Sequence, residues 1–483
     1  MRTFVLIAAG TALLCPQLAA AQREDRQQNP QQIAQSVLAT IGPGTRWGMV
    51  VVDDQGREVV SIDPEGRYMP ASNTKLFTTA AAFWKLGELD QPDQLGGASV
   101  WLVPGKGKVP SVELVGRGDA RLSSAPDCKV VCLAQLADAI AAKTRKVHDI
   151  TGDDTRFIDQ RWSLGMSWNN IPTRSGTGIS ALTLDDNEMK VVVTPGTAGK
   201  PPVVTLPAYF SVENTAQTVA AEPATLAVDR LPGSKVIQVS GALPASVPKI
   251  VTLGIDDPAD YAAWKLAEML KKRGVKVSGK VAARHRIDPQ AGAIEDRPAP
   301  LYTVLPPPLS EDLTRINKES QNLHAELMLR RVGMMAGGNI RADASVEGGQ
   351  KVVSAMLTEA GLKSHQFFFA DGSGMSTYNR IAPRGAVTFL RWVKTQPWGT
   401  KFRETLPIGG VDGTLAGRFR GTSLEGRLQA KTGTLNATNA LAGWFTAKSG
   451  RTFTFAAYAN DVPDGVIATR IMDAALVKIA ESQ

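Results

Sequence analysis

Cysteine and histidine are scarce in this chain: its 483 residues include 3 of the first and 4 of the second. The histidines, His148, His285, His324 and His365, stand at no metal-ligand spacing and beside no G-x-S-x-G turn. A zinc centre and a histidine-activated serine hydrolase are therefore not expected, and no metal or cofactor is implied. Long apolar runs are missing beyond the first 21 residues, which excludes a multi-span membrane protein. Charge of one sign is only in slight excess. There are 54 Lys and Arg against 46 Asp and Glu, a net charge of +8, without a dense basic stripe. Nucleic-acid binding is not indicated, whereas a polyanionic wall polymer or loose contact with a membrane or wall surface would suit such a surplus. Hydrophobic residues at 43% and charged residues at 21% give an ordinary core-forming mixture. Whole-chain disorder, a collagen-like fibre and a coiled coil are excluded. At roughly 150 residues per domain, the length corresponds to about three domains.

The N-terminus reads as a targeting segment. Met1-Arg2 is a positive start, and the apolar run 4–14 is too short to span a membrane. Ala19-Ala20-Ala21 supplies the small residues of a cleavage site, giving a signal peptide over 1–21 and a mature chain that begins near Gln22 outside the cytoplasm. Cys15 lies between bulky Leu14 and Pro16, a poor context for lipidation. Cys128 and Cys132 then remain. An oxidising compartment permits a disulfide between them, and two buried thiols are the other reading.

Apolar periodicity predicts a helix over 32–41, strands over 47–53 and 59–63 around Asp54-Gln55-Gly56, and a helix from Ser72 to about Leu86 closed by Gly87. The far end mirrors this, with strands over 440–448 and 452–459 and a helix over 466–481. Both ends thus read as one α/β layer. From about 90 to 295 the chain has many short β-like runs (111–115, 189–193, 203–206, 235–239, 249–253), a helix over 259–273 and a strand over 275–282. A Pro-rich stretch over 297–309 reads as the crossing back, followed by helices over 320–333, 346–361 and 384–395.

Three short motifs carry chemistry. Ser72-Asn73-Thr74-Lys75 places a lysine three residues after a serine at a helix start, so the amine reaches the hydroxyl and can act as the base that serine needs. Ser320-Gln321-Asn322 offers a second hydroxyl to relay protons and an amide to grip a substrate backbone. Lys431-Thr432-Gly433, on a strand expected over 428–435, offers a cation and close backbone approach, and Thr434 after it offers a backbone N–H. Ser246-Val247-Pro248-Lys249 repeats the first spacing, but Pro248 excludes a helix interior. Ser167-Trp168-Asn169 repeats the second.

In that order the three motifs resemble the S-x-x-K, S-D-N and K-T-G set of β-lactamases and penicillin-binding proteins. The long gap between Lys75 and Ser320 is similar to that of the low-molecular-mass class C penicillin-binding proteins, the D-alanyl-D-alanine carboxypeptidase/endopeptidase family of serine peptidases. Asp371-Gly372-Ser373-Gly374 with Asn379, Gly410-Val411-Asp412-Gly413-Thr414-Leu415 and Gly118-Asp119 resemble further stretches of that family. Two departures stand out. Thr377 replaces the usual Arg after DGSG-x-S, and Trp168-Asn169-Asn170 lacks the carboxylate that in some members meets the diamino-acid end of a stem peptide.

The resemblance implies an α/β (α+β) fold: a penicillin-binding/β-lactamase-like transpeptidase domain, with a sheet flanked by helices plus an all-helical part, over 22–88 and 296–483. Large, mostly-β inserted material over 89–295 would form two small domains. It implies a periplasmic carboxypeptidase or DD-endopeptidase acting on peptidoglycan peptides. Ser72 would be the nucleophile, Lys75 the base and Ser320 the proton relay. Asn322, Lys431, Thr432, Gly433 and Thr434 would bind substrate, and β-lactam antibiotics would act as covalent inhibitors. The rivals are a β-lactamase, a serine esterase of similar fold, and a non-catalytic wall-binding protein. No acidic residue in an E-x-x-L-N context supports the first, and the intact Ser72/Lys75/Lys431 set argues against the last. His324 reads as structural, and Asp371-Gly372 as a turn under the site. Trp84, Trp101, Trp162, Trp168 and Trp444 read as core or wall, and Arg330-Arg331 as a solvated helix end.

Overall fold

A computed structural model describes residues 29–87, 89–221, 224–288, 298–336 and 344–483. The expected signal segment lies outside the described residues. The two ends of the chain meet in one antiparallel sheet whose strands run in the order Glu58–Ile62, Arg46–Val52, Thr452–Asn460, Thr438–Thr446, Leu428–Leu435. Alternate residues along these strands serve different cores, as the two-residue period of a strand requires. Val50, Val52, Ala442, Trp444 and Tyr458 face a helical layer built on Leu76, Phe77, Met328 and Phe389. Met49, Val51, Leu441, Phe445 and Phe455 face the N- and C-terminal helices, Pro30–Leu38 and Ala468–Ser482, through Ile33, Leu38, Leu476 and Ile479. With both faces covered, the strands read as nearly continuous apolar runs. Leu428–Leu435 is the edge of this sheet, held along one side by Thr438–Thr446.

A second sheet has the order Val281–Arg286, Ile150–Ile158, Ser111–Gly116, Ala98–Val103, Tyr302–Val304. Its first three strands run parallel and the rest antiparallel. Helices Leu133–Lys143 and Pro258–Lys272 pack on it through Leu136, Ile140, Ala263 and Leu266. Among the described residues, four smaller sheets of two or three strands complete the middle of the chain. The returning chain at Tyr302–Val304 is itself an edge strand of this second sheet. The strand expected over 275–282 is in fact two. Lys276–Val277 pairs with Lys146–Val147 and Val281–Arg286 with Ile150–Ile158, and the break falls where a Cβ on Gly279 would sit 2.0 Å from the Asp149 carboxylate. Cys128 and Cys132 are joined by a disulfide.

The helix expected from Ser72 begins instead with a 3-10 turn over Ala71–Thr74 and becomes α-helical only at Lys75–Lys85. The helix expected over 320–333 is Asn322–Ala336, and a further helix, Leu309–Lys318, precedes it. Of the tryptophans, Trp101 and Trp444 are core residues, whereas Trp168 is 67% exposed and lies outside the core.

Arg330 and Arg331 overturn the reading of a solvated helix end. Both are about 1% exposed, because helix Asn322–Ala336 is packed on every side. Arg331 grips Asp93 with both guanidinium nitrogens, at 2.6 and 2.8 Å, and neither side chain is more than 4% exposed. Sequence patterning misses such a pair because Asp93 comes from a segment more than two hundred residues away. Breaking a buried pair leaves the surviving charge without compensation. Arg331→Met is therefore expected to lower folding stability by about 3–5 kcal/mol, measured by denaturant unfolding. A loss below about 1 kcal/mol, the level of a surface pair, would contradict the assignment.

Candidate active site

Ser72 is presented by a turn that the backbone must be forced into. Pro70 leads to Ala71 at φ 48°, and the Asn73 N–H closes the turn on the Pro70 carbonyl at 3.1 Å. The 371–376 loop clamps the turn from outside: Gly374, at φ 90°, lies so close that a Cβ there would be 1.8 Å from the Ala71 carbonyl oxygen. Three residues on, Lys75 is fully buried and its Nζ lies 3.0 Å from Ser72 Oγ. The amine also donates to Asn322 Oδ1 and to the Ser373 carbonyl, each at 2.6 Å.

Ser320 occupies the break between helices Leu309–Lys318 and Asn322–Ala336, with φ 60°, rather than a helix interior. Lys318 pairs with Asp412 at 2.5 Å, tying that break to the 410–415 stretch, whose Thr414 hydroxyl lies 2.8 Å from that of Thr432. Strand Leu428–Leu435 brings the third motif in. Lys431 Nζ donates to Ser320 Oγ at 2.9 Å and to the Thr432 carbonyl at 3.0 Å, and Asn73 Nδ2 donates to the Lys431 carbonyl at 2.7 Å. A Cβ on Gly433 would meet the Pro70 carbonyl oxygen at 2.2 Å, so only glycine lets the strand lie against the Ser72 turn. Thr434 is exposed at the edge of the sheet. Asn322 Nδ2 donates to the Ser175 carbonyl at 2.9 Å, which brings the 168–176 segment, with Trp168, Asn169 and Asn170 in a 3-10 turn, to the rim. Ser72, Lys75 and Asn322 are thus joined by hydrogen bonds, as are Ser320 and Lys431, and the Asn73 bond to the Lys431 carbonyl brings the two groups together.

The repeats of these motifs do not join these groups. Lys249 opens a strand, Lys249–Gly254, and Ser167 hydrogen-bonds Asn169 at 2.7 Å. Asp119 is buried, and its carbonyl accepts from the Thr183 hydroxyl. His324 is buried between Asp186 and Asp312, at 3.0 and 3.3 Å, and faces away from Ser320.

Burial pushes the Lys75 amine down to about 7, against the opposing pull of the Asp371 and Glu326 carboxylates. Lys431 is held well below the ordinary lysine range by burial and then by the charge of Lys75. Asp371 is raised by burial and by Glu326, although Asn379 and the Ser376 and Gly374 amides favour its charged form. Asp371 Oδ1 accepts from Gly374 at 2.9 Å and from Asn379 at 2.6 Å, and Oδ2 accepts from Ser376 at 2.6 Å, which shapes the loop that offers the Ser373 carbonyl to Lys75. Asn73 lies within the first motif and Ser373 within the Asp371-Gly372-Ser373-Gly374 stretch, but the motifs give neither a role of its own and do not single out Glu326 or Ser175, although Glu326, four residues after Asn322, shares that residue's helix face.

This geometry has counterparts in known proteins. Residues 31–483 match the model of the D-Ala-D-Ala carboxypeptidase 3 (S13) family. The chain is 35% identical over 462 residues to a D-alanyl-D-alanine carboxypeptidase of Actinomadura sp. (strain R39), covering 91% of this chain and 82% of that one. It is 27% identical over 449 residues to the D-alanyl-D-alanine carboxypeptidase DacB of Haemophilus influenzae, covering 90% and 89%. Among solved structures, penicillin binding protein 4 from Haemophilus influenzae shares its fold, with a TM-score of 0.76 at 24% identity over 92% of this chain and 97% of that one. A sheet edge carrying Lys431, a helix start carrying Ser72 and Lys75, and this match along nearly the whole described chain together place the protein in the D-Ala-D-Ala carboxypeptidase 3 (S13) family of serine-type carboxypeptidases.

Proposed function

We propose that the chain hydrolyses the terminal D-Ala–D-Ala bond of peptidoglycan stem peptides through an acyl-enzyme on Ser72. The observation that carries this reading is the buried Lys75 amine, pushed down to about 7 and lying 3.0 Å from the Ser72 hydroxyl. The neutral amine takes the hydroxyl proton as Oγ bonds to the carbonyl carbon. The negative charge that develops on the carbonyl oxygen is met by the backbone N–H groups of Ser72 and Thr434, each such donor being worth roughly 10²–10³ in rate. Ser320, to which Lys431 donates a hydrogen bond, gives its proton to the leaving amine as the C–N bond breaks and takes in its place the proton that Lys75 removed from Ser72, which leaves Lys75 neutral again. Water then attacks the ester carbonyl, Lys75 takes its proton and returns it to Oγ as the ester C–O bond breaks, and Ser72 is regenerated.

The edge strand with Thr432, Gly433 and Thr434 pairs with an extended peptide, and Asn322 holds its backbone. The terminal carboxylate docks at Lys431 and Thr432, where its charge favours the ammonium form of Lys431. On a cross-link the same step releases an amine of a neighbouring stem peptide, which makes the enzyme a DD-endopeptidase as well. Asn170 offers no carboxylate to a diamino acid, so an ammonium-bearing stem peptide gains less there.

A β-lactam acylates Ser72 in the same way, and its adduct leaves slowly. The peptidase domain comprises 22–88 and, rather than resuming at 296, the chain after Val304, because Tyr302–Val304 still pairs into the second sheet of the inserted part. The signal segment over 1–21 sends the chain to the bacterial periplasm. Among the described residues no helix is long and apolar enough to cross a membrane.

Two outcomes are expected. Ser72→Ala abolishes covalent labelling by a fluorescent penicillin, while retained labelling refutes the nucleophile. Rapid turnover of penicillin by the unaltered enzyme over minutes would favour a β-lactamase, and small-ester hydrolysis without peptide cleavage an esterase. Because Lys75 serves as base only when uncharged, the acylation rate constant rises with pH up to about 7 and is level above it. A rate that is flat from pH 5 to 8 would contradict that role.

A further inference from the structure

A buried ion pair stands one helical turn behind the site and has no part in the mechanism above. Glu326 and Arg330 lie on helix Asn322–Ala336, 3% and 1% exposed. Glu326 Oε1 accepts two hydrogen bonds, from the Gly372 and Ser373 N–H groups, both at 2.9 Å. Those amides belong to the loop whose Ser373 carbonyl receives the hydrogen bond of Lys75 at 2.6 Å. Glu326 Oε2 accepts from Arg330 Nη1 at 2.9 Å and from Ser163 Oγ at 3.4 Å. Arg330 Nη2 donates to the Gln160 carbonyl at 2.8 Å. An unbroken chain of contacts therefore runs from the amine beside Ser72 to a loop over 160–163, in the middle part of the sequence.

We propose that Glu326 is the positioning residue for Lys75, holding the Ser373 carbonyl on the amine, and that Arg330 ties this carboxylate to the 160–163 loop and tempers its charge. The consequence is that a buried charge pair outside the reacting atoms tunes the pH at which the base becomes competent. The proposal rests on Lys75 being the base of Ser72. The charged groups facing Lys75 are Lys431 from the edge strand, Asp371 from the 371–376 loop and Glu326 from the helix. The two carboxylates favour its charged form and burial opposes it. Glu326 is faced by Arg330 on its own helix and by Asp371 across from it. Removing the negative charge of Glu326 leaves the ammonium less supported, so the proton leaves at lower pH. Removing Arg330 leaves that negative charge uncompensated, so the proton leaves at higher pH.

The test is the rate constant of acylation by a fluorescent penicillin from pH 5 to 9, on the full chain and on Glu326→Gln and Arg330→Met. Glu326→Gln keeps an oxygen for both amides and is expected to move the acid-side midpoint down by about half a unit or more. Arg330→Met is expected to move it up by a similar amount. A merely structural role lowers the rate without shifting the two midpoints in opposite directions. An unmoved midpoint in Glu326→Gln overturns the proposal, and one unmoved in Arg330→Met alone overturns the link to the 160–163 loop. Where thermal melts show that Arg330→Met does not fold, Arg330→Gln keeps a donor for Gln160 and carries the same expected sign. Where Glu326→Gln does not fold, the Arg330 variant decides alone. If the unaltered enzyme shows no labelling, or no acid limb, it is the base assignment for Lys75 that has failed.

Discussion

The site depends on keeping one lysine amine dry. Lys75 is fully buried, and its Nζ has three oxygen neighbours: Ser72 Oγ, Asn322 Oδ1 and the Ser373 carbonyl. An ammonium can donate to all three. A neutral amine can donate to the amide and the carbonyl and still turn its lone pair to the serine proton. Both protonation states are therefore satisfied by one set of heavy atoms, and a proton crosses from serine to lysine without rearrangement. Which state prevails is set by desolvation, which costs a buried ion several kcal/mol, against the two carboxylates behind the amine. A second buried lysine sharpens the balance, because two ammonium groups in a dry pocket disfavour each other.

The architecture serves this pocket by bringing distant segments together. Lys75 and Lys431 are separated by most of the chain, yet strand Leu428–Leu435 runs against the Ser72 turn because the N- and C-terminal strands share one sheet. The register that seats the strand next to the turn is the one that buries Trp444 and Tyr458 on the helical side and Phe445 and Phe455 on the other. A slip of one residue would exchange those faces and turn Lys431 away from the cleft. The core and the site are thus specified by the same pairing, and the Tyr458 hydroxyl, 3.1 Å from Asn73 Oδ1, links them directly.

The terminal layer was legible in the sequence because its strands are strongly apolar and its helices strongly periodic. The expected edge strand coincides with Leu428–Leu435, and the others differ by a residue or two. The helix Leu309–Lys318 went unread: with Glu311, Asp312, Arg315 and Lys318 its composition is polar, and its apolar stripe of Leu309, Leu313 and Ile316 is narrow. The motif residues were legible because their chemistry demands particular side chains at short spacing. The Ser373 carbonyl was not, since a backbone oxygen leaves no mark in the sequence. Nor were the burial of Arg330 and Arg331 or their partners, which depend on contacts across long separations.

Both serines of the cleft stand beside backbone that ordinary residues avoid. Ala71 precedes Ser72 at φ 48°, and Ser320 itself is at φ 60°. Each such residue costs of order 1–3 kcal/mol and persists only where its surroundings over-determine it. Here they do. Gly374 clamps Ala71 from the 371–376 loop, and the Lys318–Asp412 pair pins the residues ahead of Ser320. The gain from this conformation is directional. A regular helix continued back through either serine would lay its hydroxyl along the helix flank. The left-handed break sets each hydroxyl at a helix start instead, where partial positive charge favours a developing alkoxide. The strain thus sits where each hydroxyl must meet a buried lysine, Ser72 with Lys75 and Ser320 with Lys431, and the 371–376 loop that holds the first also orients the base through the Ser373 carbonyl.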